Sequence, residues 1–296
     1  MSCDGSTTRI SGAGFTEFNI VDIDNPGDVI LEKDIRIMDN LIFSNGIIHT
    51  DRNVFRERVF FIDGASYTGA TDDKHVNGAV SRQGEGPFIY PLGDGDHLSR
   101  LSASGNNDFD IFLAAYYSTL LAEDQFTANG RFPVDATDID VSAVQPKEFW
   151  TLSGGQSTSV TLFWSAFSEI QELVEDVNDL VVVGWDSEKW VNLGNTSVLE
   201  IGDAGTVTSE NIMPDRYEAF TFGVLDSDGD GFVDSDDSDP FDPCIPDDSS
   251  PACMSNTCID VKLSVFLEGP LQSGRIGEYN LLFYLIGGAL LKTHLV

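Results

Sequence analysis

Between Val29 and Ile48 the sequence VILEKDIRIMDNLIFSNGII places apolar residues at a spacing of six. Val29, Ile35, Leu41 and Ile47 form one series, and Leu31, Ile37 and Phe43 form a second. The polar pairs Lys33-Asp34, Asp39-Asn40 and Asn45-Gly46 punctuate them. Such a period suits very short strands stacked as the rungs of a β-solenoid, in which each unit buries its face only on its neighbours. The competing reading is a tight meander of four-residue strands, with Asn45-Gly46 as a type I′ hairpin turn. Rungs are the reading favoured here.

Between His75 and Val224 the texture changes to separated strand candidates. SVTLFW (Ser159 to Trp164), DLVVVGW (Asp179 to Trp185), KWVNLG (Lys189 to Gly194) and EAFTFGVL (Glu218 to Leu225) are rich in β-branched and aromatic residues. Gly, Asn, Asp or Ser bounds each one, a pattern that argues for an antiparallel sandwich. One helix is expected to interrupt it: Ser168 with Gln171 reads as a capping box, followed by Ile170, Leu173, Val174 and Val177 at helical spacing. The 296 residues are enough for two domains of ordinary size, and 41% hydrophobic content is enough to build cores.

Sixteen basic against forty-nine acidic residues give a net charge of −33. That charge disfavours nucleic acid and anionic membrane surfaces as partners, since both would be repelled, and cations are the natural counter-charge. The densest acidic stretch is LDSDGDGFVDSDDSDPFDPC, Leu225 to Cys244. A block of like charge on its own reads as a solvated segment. This one is spaced. Counting from Asp226 as position one, Asp226, Asp228, Asp230, Asp234 and Asp237 occupy positions 1, 3, 5, 9 and 12, with Gly231 at position 6. That is EF-hand-type loop spacing: alternate side chains converge on one point, the glycine allows the sharp turn, and the Phe232 carbonyl fills position 7. Asp237 departs from the bidentate Glu of the motif. A true EF-hand needs a helix on each side, yet Phe220, Phe222 and Val224 alternate as a strand and Ser238-Asp239-Pro240 ends any helix downstream. The stretch instead resembles a thrombospondin type 3 calcium repeat, in which aspartate-rich loops wrap ions without helices. That resemblance implies a second, partial site at Asp236, Asp239 and Asp242. The expected cofactor is Ca2+, held structurally, so that the bound ion turns a self-repelling connector into a stiff one.

Cys244, Cys253 and Cys258 cluster beyond the loop while Cys3 stands alone. Four cysteines permit three full pairings. Cys244 with Cys253 is the expected disulfide, closing a small Pro-rich loop in an oxidising compartment. Cys258 is left free or paired with Cys3, and a zinc site would need closer spacing. His49, His75, His97 and His294 are scattered, and only His97 has carboxylates nearby; a loop histidine at a turn is the expected role. Trp150, Trp164, Trp185 and Trp190 sit in or beside strands and are expected in cores, Trp190 being the one expected to be exposed. The longest apolar run, Leu281 to Leu291, is too short to span a bilayer, so no membrane insertion is expected. No apolar stretch of signal-peptide length follows the opening MSCDGSTTRISGAG, which leaves a cytosolic chain, a mature form or a fragment.

Four stretches together resemble the modular, very large cell-surface and secreted proteins of gliding Gram-negative bacteria that use the type IX secretion system. LIFSNGIIHT (Leu41 to Thr50) resembles the ladder of short strands that opens such modules, and VNGAVSRQGEGPFIYPLGDGDHLSRLSAS (Val76 to Ser104) resembles their glycine-rich signature, centred on Pro91-Leu92-Gly93-Asp94-Gly95. FWTLSGGQSTSVTLFW (Phe149 to Trp164) resembles the strand pair that follows, and DSDGDGFVDSDDSDPFDPCIPDDSSPAC the calcium linker to the next module. LEGPLQSGR (Leu267 to Arg275) looks like the first strand and turn of that module, so the chain is expected to be cut short. The resemblance covers most of residues 15 to 268.

The expected class is all-β, in four parts. A solenoid-like short-strand ladder spans 1–75, an antiparallel β-sandwich 76–225, an aspartate-rich calcium linker with cysteines 226–258, and the start of a further β-module 259–296. The resemblance implies a non-enzymatic structural or adhesive module of an exported surface protein, located outside the cell, whose partners are surface glycans or other modules of the same protein. Two other readings stand beside it. A calcium-dependent carbohydrate-binding module would put Trp190 or Tyr116-Tyr117 on an exposed face, and an accessory region of a secreted hydrolase would have its catalytic domain elsewhere.

Overall fold

The computed structural model describes residues 6–52, 57–118 and 131–245, together with Pro251 and Cys253. The expected module at 259–296, the apolar run 281–291, Cys3, Cys258 and His294 lie outside the described residues. The chain opens with nine short strands: β1 Thr8–Ile10, β2 Thr16–Asp24, β3 Val29–Leu31, β4 Ile35–Asn45, β5 Ile48–His49, β6 Val59–Phe61, β7 Ser66–Thr68, β8 Val76–Asn77 and β9 Ala79–Gln83. All of the pairings among these nine are parallel. β1, β3, β5 and β8 form a four-stranded sheet, while β2, β4, β6 and β9 begin a second sheet, with β7 also against β4.

This is a solenoid of about three turns. Val29 pairs with Ile48 and Ile48 with Val76, so one coil takes roughly 20 residues or more, the usual scale of a solenoid repeat. The spacing of six seen in the sequence is therefore one side of a coil, not a whole rung. Val29 and Leu31 point inward from β3, Ile35 and Ile37 from the first half of β4, and Leu41 and Phe43 from its second half; all six are buried. Met38 and Asp39 are exposed where β4 turns from one side to the next, and its two halves pair with different strands, β6 and β7. The alternative of an Asn45-Gly46 hairpin is not what forms. Gly46, at φ 83°, turns the corner into β5, and a Cβ there would lie 1.9 Å from the Asn25 carbonyl oxygen of the coil beneath.

The remaining strands are β10 Gly86–Tyr90, β11 Leu101–Gly105, β12 Ile111–Ser118, β13 Val141–Val144, β14 Glu148–Ser153, β15 Thr158–Trp164, β16 Leu180–Trp185, β17 Trp190–Asn192, β18 Ser197–Ile201, β19 Ala204–Ile212 and β20 Phe220–Leu225. The four strand candidates fall on β15, β16, β17 and β20. Antiparallel pairing begins at β9, which is parallel to β6 on one edge and antiparallel to β12 on the other. The change of texture near residue 75 is this switch. An eleven-stranded sheet crosses it without a break, in the order β17-β16-β20-β14-β12-β9-β6-β4-β2, with β13 on β20. The five-stranded sheet β10-β11-β15-β19-β18 shares a core with it, in which Phe88, Tyr90, Leu162 and Trp164 meet Phe112, Trp150, Phe220 and Phe222. Coil residues such as Ile37 and Phe61 belong to the same core.

Every residue of β16 is buried because both of its faces are covered. Leu180 and Val182 face the main core, while Val181, Val183 and Trp185 join Phe132, Phe149 and Trp190 in a second cluster. The expectation of an exposed Trp190 is corrected here: it is fully buried, packs edge-on to Trp185, and donates its indole N–H to the Pro133 carbonyl at 3.1 Å. The expected helix is also cut down. Ser165, not Ser168, makes the capping box, over the 3-10 turn Ala166–Ser168, and Glu169 then adopts a left-handed conformation (φ 48°). That left-handed residue breaks the helical path, and the one turn after it, α1, Ile170–Leu173, ends where Val174 becomes extended. Ile170 and Val174 still bury into the main core.

Candidate metal centre

β20 is buried along most of its length and delivers Asp226 to the end of the sandwich, where the Asp226 N–H donates to the Asp140 carbonyl at 3.2 Å. From there the loop folds on its own carboxylates. Asp226 accepts from the Gly229 N–H at 2.8 Å through Oδ1 and from the Gly231 N–H at 3.1 Å through Oδ2. Asp228 Oδ1 accepts from Asp230 N–H, and Asp230 Oδ1 from Phe232 N–H at 2.9 Å. Each bond spans two to five residues, so the carboxylates wind the backbone around themselves. Gly231 takes φ 103°, a conformation that only glycine adopts without strain.

Ligand oxygens from Asp226, Asp228 and Asp230 lie within 4.8 Å of one another. Two oxygens on one metal ion are separated by at most twice the bond length, about 5 Å for a bond of roughly 2.4 Å, so the three carboxylates are close enough together to hold one ion. Asp226 and Asp230 are only 3% and 8% exposed. The Oδ2 atoms of Asp228, Asp230 and Asp237 are buried and have no hydrogen-bond partner. Removing a carboxylate oxygen from water without a partner costs several kcal/mol, which a hard cation offsets. Burial pushes the Asp226 carboxyl above its usual range, and burial together with the charges of Asp230, Asp237 and Asp234 does the same at Asp228.

The other expected residues take different places. Asp234 is a clamp across the loop, its two oxygens accepting from the Ser227 N–H and hydroxyl, each at 2.7 Å. Asp237 accepts from the Asp239 N–H through Oδ1 and keeps Oδ2 free. Phe232 contributes its backbone to the loop while its ring is exposed. Asp236, Asp239 and Asp242 are exposed, and among the described residues they form no second cluster; Asp242 accepts instead from the Cys244 N–H. Cys244 and Cys253 form a disulfide, as expected. No helix flanks the loop among the described residues, and none there is long and apolar enough to cross a membrane.

Elsewhere, the aromatic residues considered for sugar stacking are inside. All four tryptophans and Tyr116 are buried, and half-buried Tyr117 stacks on Phe149 at 4.6 Å. His97 stacks on Phe167 at 3.9 Å with its Nδ1 3.3 Å from Asp94 Oδ2, and the Asp94 carboxylate is already held by the N–H groups of Asp96 and His97. This fastens the Pro91–Gly95 turn. His75 is buried, its Nε2 accepting from the Gly95 N–H at 3.0 Å. Sequence reasoning did not single out Glu148, which is fully buried and accepts from the Tyr116 hydroxyl at 2.7 Å. No protein family, curated protein or solved structure compared with the chain matches it.

Proposed function

We propose that this chain is a non-enzymatic structural module of an exported surface protein, rigidified by calcium in the loop of Asp226, Asp228 and Asp230. One observation carries the reading. Asp230 is more than nine-tenths buried and keeps an unpartnered carboxylate oxygen beside two other carboxylates, an arrangement that repels itself unless a cation occupies it. Oxygen-only donors suit a hard ion such as calcium. The disulfide that follows the loop suits an oxidising compartment, where calcium is abundant enough to fill a site of modest affinity. The carbohydrate-binding alternative loses its platform, because the aromatic residues it needs are packed inside.

The test is a calcium titration by calorimetry on chelator-stripped protein, with melting curves in both states. The expected dissociation constant is of order 10⁻⁴ to 10⁻³ M. At one hundred times that concentration the ion stabilises the fold by about 2.7 kcal/mol. Asp230→Asn abolishes the calcium-dependent part of the melting temperature. A stripped protein that takes up no calcium and melts identically with and without it would sink the reading.

A further inference from the structure

The five-stranded sheet β10-β11-β15-β19-β18 packs one face on the main core and turns the other away from it. Along each strand every second side chain belongs to that outer face. One row across it reads Ile89, Ser102, Thr161, Thr208 and Ser197, and the next reads Phe163, Thr206 and Leu199. The Thr161 and Thr208 hydroxyls bond to each other at 2.9 Å. Both rims are apolar and open: Ile89 is 38% exposed on β10, and Leu199 and Ile201 are 54% and 70% exposed on β18. Arg100, just before β11, lays its guanidinium 4.9 Å from the centre of the Phe163 ring. The chain has forty-nine acidic residues, yet neither row holds a carboxylate. Of the two glutamates on these strands, Glu200 alternates to the opposite side with Gly205, and Glu210 lies against Gly194.

We propose that this face is a docking surface for a second copy of the chain. Charge selects the occupant. Two copies at −33 each repel wherever carboxylates meet carboxylates, and like charges set opposite each other across an interface are strongly unfavourable. Uncharged rows let two copies approach without that cost. The open edge of the eleven-stranded sheet, β2, also exposes an apolar residue, Ile20, but carries Glu17, Asp22 and Asp24 beside it. The order of strands makes the five-stranded face self-complementary. β15 is the middle strand, with β10 and β18 each two places away. A two-fold axis lying along β15 between two facing copies therefore sets the β10 edge of each, with Ile89, over the β18 edge of the other, with Leu199 and Ile201, while the hydroxyl-bearing residues meet in the middle. Five strands at about 4.8 Å and a length of roughly 20 Å give a contact of about 500 Å² per copy, at the low end for a specific interface, so the dimer is weak and reversible. The pairing needs no metal.

Sedimentation equilibrium on the full chain at fixed calcium, over a series of protein concentrations and at about 0.05 M and about 0.5 M salt, tests the pairing. A monomer–dimer equilibrium is expected, with a dissociation constant of order 10⁻⁵ to 10⁻⁴ M that tightens several-fold at the higher salt, where the net charges are screened. Leu199→Asp, at an exposed position outside the core, is expected to weaken association about ten-fold or more, and Thr161→Asp, on the axis, to abolish it. Melting curves show whether each variant folds; should Thr161→Asp fail to do so, Leu199→Asp carries the test. Ile20→Glu, on the β2 edge, is expected to leave association unchanged. A dimer that survives Leu199→Asp but is lost in Ile20→Glu assigns the contact to the solenoid edge and overturns the proposal. A parent that stays monomeric at both salts up to about 10⁻³ M overturns it too, whether or not the face then holds a neutral polysaccharide instead.

Discussion

At the scale of single residues, Glu148 makes the sharpest prediction. Its carboxyl is pushed up to about 7 by burial, only partly opposed by hydrogen bonds from hydroxyls including Tyr116 and Ser99. Its folded pKa lies above the ordinary value of 4.5, so the folded chain holds a proton that the unfolded chain releases. Stability from this group is complete below about pH 4.5, declines as pH rises toward 7, and is flat beyond, a total of roughly 3 kcal/mol. Glu148→Gln removes the titration. Denaturant unfolding of the two proteins at fixed calcium should show the variant gaining on the parent across that window, with the difference constant above pH 8. The aspartate loop was legible in the sequence because its carboxylates act on neighbours two to five positions away, and local spacing records that. Glu148 was not. It matters through partners far along the chain, Ser99 and Tyr116, and no local pattern marks such meetings.

At the scale of elements, the spacing of six was read correctly as a solenoid signal, and the structure supplies its geometry: an inward pair of apolar residues for each side of a coil. The corners are where the sequence was ambiguous. Asn45-Gly46 fits a hairpin turn as well as a coil corner, because both need a positive φ at the glycine. What decides is the Asn25 carbonyl stacked beneath, which comes from the preceding coil. Gly46→Ala combines a left-handed alanine with a Cβ driven onto that oxygen, and should cost about 2 kcal/mol or more in denaturant unfolding. An alanine variant as stable as the parent would mean that the corner relaxes freely. The short helix was over-read for a related reason. Ile170 and Val174 do face the core at helical spacing, but the left-handed Glu169 separates the 3-10 turn capped by Ser165 and Ser168 from the single turn Ile170–Leu173, which ends where Val174 becomes extended.

At the scale of the whole molecule, the parallel coils and the antiparallel sandwich are joined through β9, which has one kind of partner on each edge. The pairings on its two sides differ in how much chain each must close. β16 with β17 and β18 with β19 are hairpins joined by short turns, whereas each parallel rung closes a loop of roughly 20 residues or more before it gains a contact. Local pairings form first. The β16–β17 and β18–β19 hairpins therefore form ahead of the coils, whose strands β6, β4 and β2 line up in turn from β9. In a pulse-labelling hydrogen-exchange experiment, amides of β18 and β19 should gain protection early and those of β2 last; the reverse order would mean that the coils seed themselves. A strand such as β2 is then synthesised well before the surface it needs exists, and waits on a strand more than fifty residues behind it, by the usual rule that parallel pairing is slow.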